Sequence, residues 1–177
     1  MNIFAGNSST NKARMESNLS KAAMMNRRWA GLAKFSSAFL RLALGAAFLS
    51  AVADRFGLWG VYGHPNVAWG NYARFVDYTA KLNWFLPAAM IPALAIVATA
   101  AETLFGLLLV LGLKTRITAL LSGVLLLTFA LTMTIALGVQ APLNSSVFSA
   151  AGGALLLATC TNLPFSLDEL LQQKRSK

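Results

Sequence analysis

The chain contains four long apolar runs separated by short polar or mixed segments. They cover about residues 35–53, 88–113, 117–138 and 146–163. A helix of about 20 apolar residues crosses a hydrocarbon core of about 30 Å. The pattern therefore predicts an all-α, polytopic membrane protein with a bundle of four transmembrane helices. The connection at 112–116 is short, so the second and third spans are expected to be antiparallel neighbours.

Residues 54–86, between the first two spans, differ from the other connections. They contain all three tyrosines, three of the four tryptophans and the only histidine. From residue 67 to residue 83, apolar and polar positions recur with helical spacing, which predicts an amphipathic helix in this outer loop. Trp69, Tyr72 and Trp84 then have two interpretations. They form an interfacial aromatic belt, or they cover a pocket between the spans and stack on a flat ring.

The composition agrees with this class. Apolar residues make up 56% of the chain and charged residues 12%, whereas soluble domains have about 45–50% and about 25%. The chain has 177 residues, and the four spans use nearly everything after residue 34. One compact membrane domain, 35–163, is therefore expected.

The net charge of +9 is concentrated at three places, residues 12–34, 114–116 and 174–177. With four spans, all three lie on one side of the membrane, as the positive-inside rule requires. We therefore expect both termini in the cytoplasm. This distribution indicates contact with the lipid bilayer rather than with nucleic acid.

The two ends of the chain are predicted to lie outside the bundle. Residues 1–34 form a basic segment that is partly disordered, chiefly in the polar stretch 1–11. Within 12–34, apolar residues recur at roughly helical spacing, which leaves open a helix on the anionic leaflet or a solvated, frayed tail. Residues 164–177 are predicted to be a short cytoplasmic tail.

Two charged residues stand alone inside apolar runs, Arg41 in the first span and Glu102 in the second. An ionised side chain in hydrocarbon is costly unless it is paired or faces water inside a bundle. From the helical rise, Arg41 lies roughly 10 Å and Glu102 roughly 18 Å from the basic end of its span, a difference that an arginine side chain can bridge. We therefore predict an Arg41–Glu102 ion pair.

This pair has two interpretations, a polar site for a headgroup, proton or small anion, or a clamp between two spans. Asp54 and Arg55 end the first span and are ordinary end anchors, unless Asp54 turns inward and continues a polar path from Glu102. No cluster of metal ligands is evident, and no metal is predicted. The candidate site comprises Glu102 as the catalytic residue and a ligand-binding set: Arg41, Glu102, Asp54, Trp69, Tyr72 and Trp84.

Three segments resemble the DoxX-like family of small bacterial membrane proteins. In the first, 39–45, Arg41 precedes Gly45 by four residues. The second runs from Glu102 to Arg116 and follows the family pattern E-x-x-x-G-L-x-L-x-x-G-x-x-T-R. The third is 82–87, just before the second span. The resemblance covers residues 35–163.

The resemblance implies a four-helix protein of the bacterial inner membrane, in which Arg41 and Glu102 occupy the family's polar positions. Some members are subunits of thiosulfate:quinone oxidoreductase, and others are tied to membrane redox complexes. It therefore implies a quinone-linked membrane subunit that binds a lipophilic ligand, such as a quinone, and receives electrons from a redox partner. With one cysteine, the chain lacks the thiol pair of the quinone-linked thiol oxidases. The alternative is a non-catalytic assembly, scaffold or transport protein, and homo-oligomers remain open.

Overall fold

A computed structural model describes residues 5–160 and 163–175 of the chain. The elements are α1 (Ala5–Arg55), α2 (Tyr72–Leu82), a short 3-10 helix (Ala88–Met90), α3 (Ile91–Leu111), α4 (Thr115–Leu137), α5 (Gln140–Asn144), α6 (Val147–Thr159) and α7 (Leu167–Arg175). Within these ranges there is no strand, so the described chain is all-helical.

The chain divides into two units, one up to Ser36 and one from Ser37 onward. The described part of the first unit is the beginning of α1. Residues 5–11, where the sequence predicted disorder, are helical, while residues 1–4 lie outside the described ranges. All other elements belong to the second unit.

Three of the described helices are long and apolar enough to cross a membrane. They comprise Arg14–Arg55, Ala88–Leu111 and Thr115–Leu137. The fourth apolar helix, Val147–Thr159, has 13 residues, which corresponds to a length of about 20 Å. The prediction of a helical membrane protein is therefore supported, and the count of four spans stays a prediction. Residues 161–162 of the predicted fourth span lie outside the described ranges.

The turn between α3 and α4 is held by the segment that was predicted to be a tail. Gly112 ends α3 in the left-handed conformation (φ 69°), which glycine adopts without steric cost. The backbone N–H groups of Lys114 and Thr115 both donate to the Asp168 carboxylate at 2.8 Å. Asp168 lies in α7, so part of residues 164–177 is a helix that is hydrogen-bonded to this turn.

Two glycines bring α1 and α3 close together. A Cβ atom on Gly45 would lie 2.8 Å from Val110 Cγ2 and 3.0 Å from the Gly106 carbonyl oxygen. Next to this contact, a core of apolar residues joins α1, α3, α4 and α6: Leu44, Phe48, Leu109, Ala119, Ala154 and Leu157. The glycine contact sets the register in which α1 faces α3.

Helix α2 begins later than the sequence predicted, at Tyr72 rather than near residue 67. The Asn71 side chain accepts a hydrogen bond from the backbone N–H of Arg74 at 3.0 Å and so caps the first turn. Phe75 of α2 is buried against Ala95 and Ala98 of α3. The proposed position of this helix at a membrane surface remains a prediction.

Candidate functional site

A cavity of about 790 Å³ lies within the second unit, beside α2. Residues of α1, α2, α3, α4 and α6 contribute to its wall. On α1 the lining extends from Leu44 to Arg55, which is about 16 Å along the helix axis. The lining is mostly apolar and includes Arg55, Trp69, Phe75, Ala98, Glu102 and Phe129.

Glu102 forms its ion pair with Arg55. Nη2 of Arg55 donates to both carboxylate oxygens, at 2.8 and 2.6 Å, and each residue is 2% exposed. Nη1 of Arg55 donates to the Thr99 hydroxyl at 3.0 Å, and this hydroxyl donates to the Ala95 carbonyl at 2.8 Å. The pair therefore connects the end of α1 to the middle of α3 through charge-assisted hydrogen bonds.

Two aromatic rings cover the guanidinium of Arg55. Its Cζ atom lies 3.7 Å from the ring centroid of Phe75 and 5.2 Å from that of Trp69. The two rings meet edge to face, with centroids 5.2 Å apart. A cation over an aromatic face is stabilised electrostatically, most strongly where water is excluded. The loop and α2 thus supply a cover for the ion pair.

Arg41 is buried, but it does not pair with Glu102, so the predicted Arg41–Glu102 ion pair is wrong. Its Nη1 donates to the carbonyl oxygens of Leu109 and Val110 at 2.7 and 2.9 Å. Its Nη2 donates to the Phe165 carbonyl at 2.8 Å. The last carbonyls of a helix lack intrahelical donors and form its negative end. Arg41 therefore satisfies the C-terminal end of α3.

The register of α1 against α3 explains this difference. Since Gly45 faces Gly106 and Arg41 contacts the Val110 carbonyl, residue numbers rise on one helix as they fall on the other. Arg41 is then eight residues from the level of Glu102, about 12 Å along the axis. Arg55 lies about 9 Å from that level, on the other side, and its side chain extends back to the carboxylate.

Asp54 is buried, as the interpretation of an inward-facing Asp54 required. Its carboxylate, however, bonds to the loop. Its Oδ2 accepts hydrogen bonds from the backbone N–H groups of Ala68 and Trp69, at 3.1 and 2.8 Å. Among the described contacts of Asp54 there is none to Glu102. Asp54 therefore positions Trp69 over Arg55 and does not extend a polar path from Glu102.

Of the predicted ligand-binding residues, Glu102 and Trp69 line the cavity. Tyr72 instead stacks on Phe56, with ring centroids 5.8 Å apart. Trp84 is 70% exposed and meets Phe85 edge to face. Neither of these two aromatics belongs to the cavity wall as the structure describes it.

The sequence interpretation missed three participants in this site, Arg55, Phe75 and Tyr78. A signal for Arg55 was present, since Arg41, Gly45 and Phe48 precede it at helical spacing and share its face. Tyr78 lines the cavity, and burial raises the pKa of its phenol above the usual value. It is therefore a neutral hydrogen-bond donor at neutral pH.

The comparison with known families supports the assignment suggested by the motifs. The sequence model of the family described as DoxX matches residues 36–135, more than half of the chain. This range includes Arg55, Glu102 and the turn between α3 and α4. No curated protein and no solved structure matches the chain. The matched range and its apolar helices establish that the chain is a membrane protein of the DoxX family.

Proposed function

We propose that this protein is the membrane subunit of a quinone-linked redox complex and binds a lipophilic ligand in the cavity beside Arg55 and Glu102. One observation carries the proposal. A cavity of about 790 Å³ combines a mostly apolar wall with a single buried ion pair. Sites for small ligands have volumes of about 300–1,000 Å³, and a few polar groups within them orient the ligand.

The wall indicates how such a ligand would be oriented. Its apolar part suits an isoprenoid or other hydrocarbon tail, and the polar headgroup would lie near the ion pair. Nε of Arg55 is buried and has no hydrogen-bond partner among the described residues. A buried donor without a partner is costly, so a carbonyl oxygen of the ligand would be a favourable acceptor for it.

The ion pair also supports a role in proton transfer. Reduction of a quinone to the quinol takes up two electrons and two protons. The Glu102 carboxylate would accept each proton from water and pass it to the headgroup, as an acid–base group positioned within hydrogen-bonding distance does. The electrons would come from a partner protein, since the chain contains a single cysteine and no thiol pair.

A second function is favoured by the hydrogen bonding of the Glu102 carboxylate. Both carboxylate oxygens of Glu102 accept from Arg55, which is also what a clamp between α1 and α3 requires. In this alternative the protein is a non-catalytic assembly, scaffold or transport protein. The ion pair then fixes the register of the bundle, and lipid fills the cavity.

Ligand binding can be tested with two neighbouring alanines of α1. Ala47 lines the cavity, whereas Ala46 is also exposed but is not part of the lining. We expect Ala47→Phe to weaken binding of decyl-ubiquinone by about tenfold or more, since an added ring fills space that the ligand needs. Ala46→Phe should leave binding unchanged. Quenching of tryptophan fluorescence in nanodiscs measures both, and equal affinities for the two variants would contradict the proposal.

A charge exchange separates the two functions. The double variant Arg55→Glu with Glu102→Arg preserves an ion pair between α1 and α3 but reverses its direction. A purely structural clamp tolerates this exchange, so the protein would fold and its affinity for quinone would not change. An oriented headgroup site does not, so the proposed function predicts a folded protein that no longer binds the quinone.

A further inference from the structure

The part of α1 that precedes the DoxX match carries an exposed surface, which lies outside the range matched by the family. The match begins at residue 36, and α1 is already helical well before it. Every side chain from Arg14 to Ser36 is exposed. Among them are large apolar side chains, which a soluble surface normally presents only singly.

Most of the large apolar residues of this segment lie on one face, while Met24 and Phe35 lie on the other side of the helix. At about 100° per residue, five of them fall within an arc of about 140°. These residues are 54–64% exposed: Met15, Leu19, Met25, Trp29 and Leu32. The basic residues lie at the edge of this arc or on the opposite face, together with the single acidic residue of the segment, Glu16: Arg14, Lys21, Arg27, Arg28 and Lys34.

We propose that this helix, residues 14–35, binds the surface of an anionic lipid bilayer. The apolar face would lie at the boundary between headgroups and acyl chains, and the basic residues at the edge of that face would contact the lipid phosphates. Asn18 and Asn26 share the apolar face and reduce its hydrophobicity. The apolar face alone therefore gives weak binding, and anionic headgroups are required.

A second copy of the chain suits this surface less well. The segment has five basic residues and one acidic residue, so two such helices side by side would bring like charges together. An anionic bilayer instead attracts each basic residue within a Debye length of the surface, about 10 Å at 0.1 M salt. Charge complementarity thus selects the lipid surface.

The test uses the full chain in nanodiscs that contain one copy each. In a Cys160→Ser background, a nitrobenzoxadiazole probe is attached to Ala22→Cys on the apolar face or to Ser20→Cys on the opposite face. In discs of phosphatidylcholine with phosphatidylglycerol, the probe at residue 22 should shift its emission to the blue. A quencher in the acyl chains should quench it several-fold more than the probe at residue 20.

Three further conditions make the result decisive. In pure phosphatidylcholine, or with anionic lipid at 1 M salt, the difference between the two probes should disappear. The triple variant Lys21→Gln, Arg27→Gln, Arg28→Gln removes three positive charges, and glutamine forms helices about as well as lysine and arginine. The difference between the two probes should disappear in this variant as well. Equal emission at both positions in anionic discs would overturn the proposal. So would a shift that appears only in proteoliposomes at high protein-to-lipid ratio, because that result identifies a second copy as the partner.

Discussion

At the scale of single residues, Arg55 and Glu102 form one energetic unit. Removing either charge leaves the other buried without its partner, which destabilises a protein by about 3–5 kcal/mol. We expect Arg55→Met and Glu102→Gln each to lower the free energy of unfolding, and the double variant to cost less than the sum by more than about 1 kcal/mol. Reversible unfolding in mixed micelles, followed by circular dichroism, measures the three variants.

A control double-mutant cycle combines Glu102→Gln with a substitution of Arg41 instead of Arg55. Arg41 bonds to backbone carbonyls, so Arg41→Met should destabilise the protein by itself. Its effect should add to that of Glu102→Gln within about 0.5 kcal/mol, as expected for separate sites. A clear coupling between Arg41 and Glu102, with none between Arg55 and Glu102, would contradict the observed pairing.

The sequence was sufficient to identify buried charges but not to pair them. Arg41 and Glu102 are 1% and 2% exposed, as their positions inside apolar runs predicted. Depth along each helix says nothing about how two helices slide past one another, and this sliding decides which charges meet. Arg55 stood at the end of an apolar run, where charges are usually solvated, so its burial beneath Phe75 depended on a loop whose path was not predictable.

At the scale of helices, the contact between α1 and α3 depends on the absence of a side chain at Gly45. A Cβ there would lie 3.0 Å from the Gly106 oxygen and 3.1 Å from the Val110 nitrogen, which are backbone atoms and cannot rotate away. We expect Gly45→Ala to lower the free energy of unfolding by about 1–3 kcal/mol. Thermal unfolding in detergent measures the change.

Gly152 is the control for that substitution. It lies inside α6, and a Cβ there would meet no atom within 4 Å. Gly152→Ala should therefore stabilise the protein by up to about 1 kcal/mol, through helix propensity alone. If both substitutions had the same sign, close packing at Gly45 would not be the cause of its effect.

The connection between α7 and the start of α4 gives a prediction at the same scale. The Asp168 carboxylate accepts the backbone N–H groups of Lys114 and Thr115, and such a cap contributes about 1 kcal/mol. Asp168→Ala should speed hydrogen–deuterium exchange of the first turn of α4. Asp77→Ala, at an exposed position of α2, should leave that exchange unchanged. Equal exchange at the first turn of α4 in Asp168→Ala and the unsubstituted protein would show that the cap is dispensable.

The long apolar runs located α3 and α4 well, because about 20 consecutive apolar residues are typical of a membrane-spanning helix. They did not reveal α7, whose signal is a local one. Ser166 and Glu169 have the spacing of a capping box. In the structure Ser166 Oγ accepts from the Glu169 N–H at 3.2 Å, and the Glu169 carboxylate accepts from the Phe165 N–H at 3.0 Å. The sequence thus contained a start signal for this helix, but the prediction of a tail considered only the positive charge of this segment.

At the scale of the whole molecule, the number of spans decides where the two termini lie. Helix α6 has 13 residues and is about 20 Å long, shorter than a hydrocarbon core of about 30 Å. A short span can be accommodated by thinning of the bilayer or by flanking side chains that extend to the interface. We therefore keep the prediction that α6 crosses the membrane, which places both termini on one side.

Cysteine labelling in intact cells tests this topology. In a Cys160→Ser background, single cysteines replace Ser9, His64, Ser145 and Ser176, and a maleimide that does not cross membranes is added. Four spans predict that positions 64 and 145 react, while positions 9 and 176 react only after the membrane is permeabilised. If α6 does not cross, position 176 stays on the side of position 145 and reacts in intact cells. The positive-inside rule favours the first outcome, because Lys114 and Arg116 then share a side with the basic C-terminal residues.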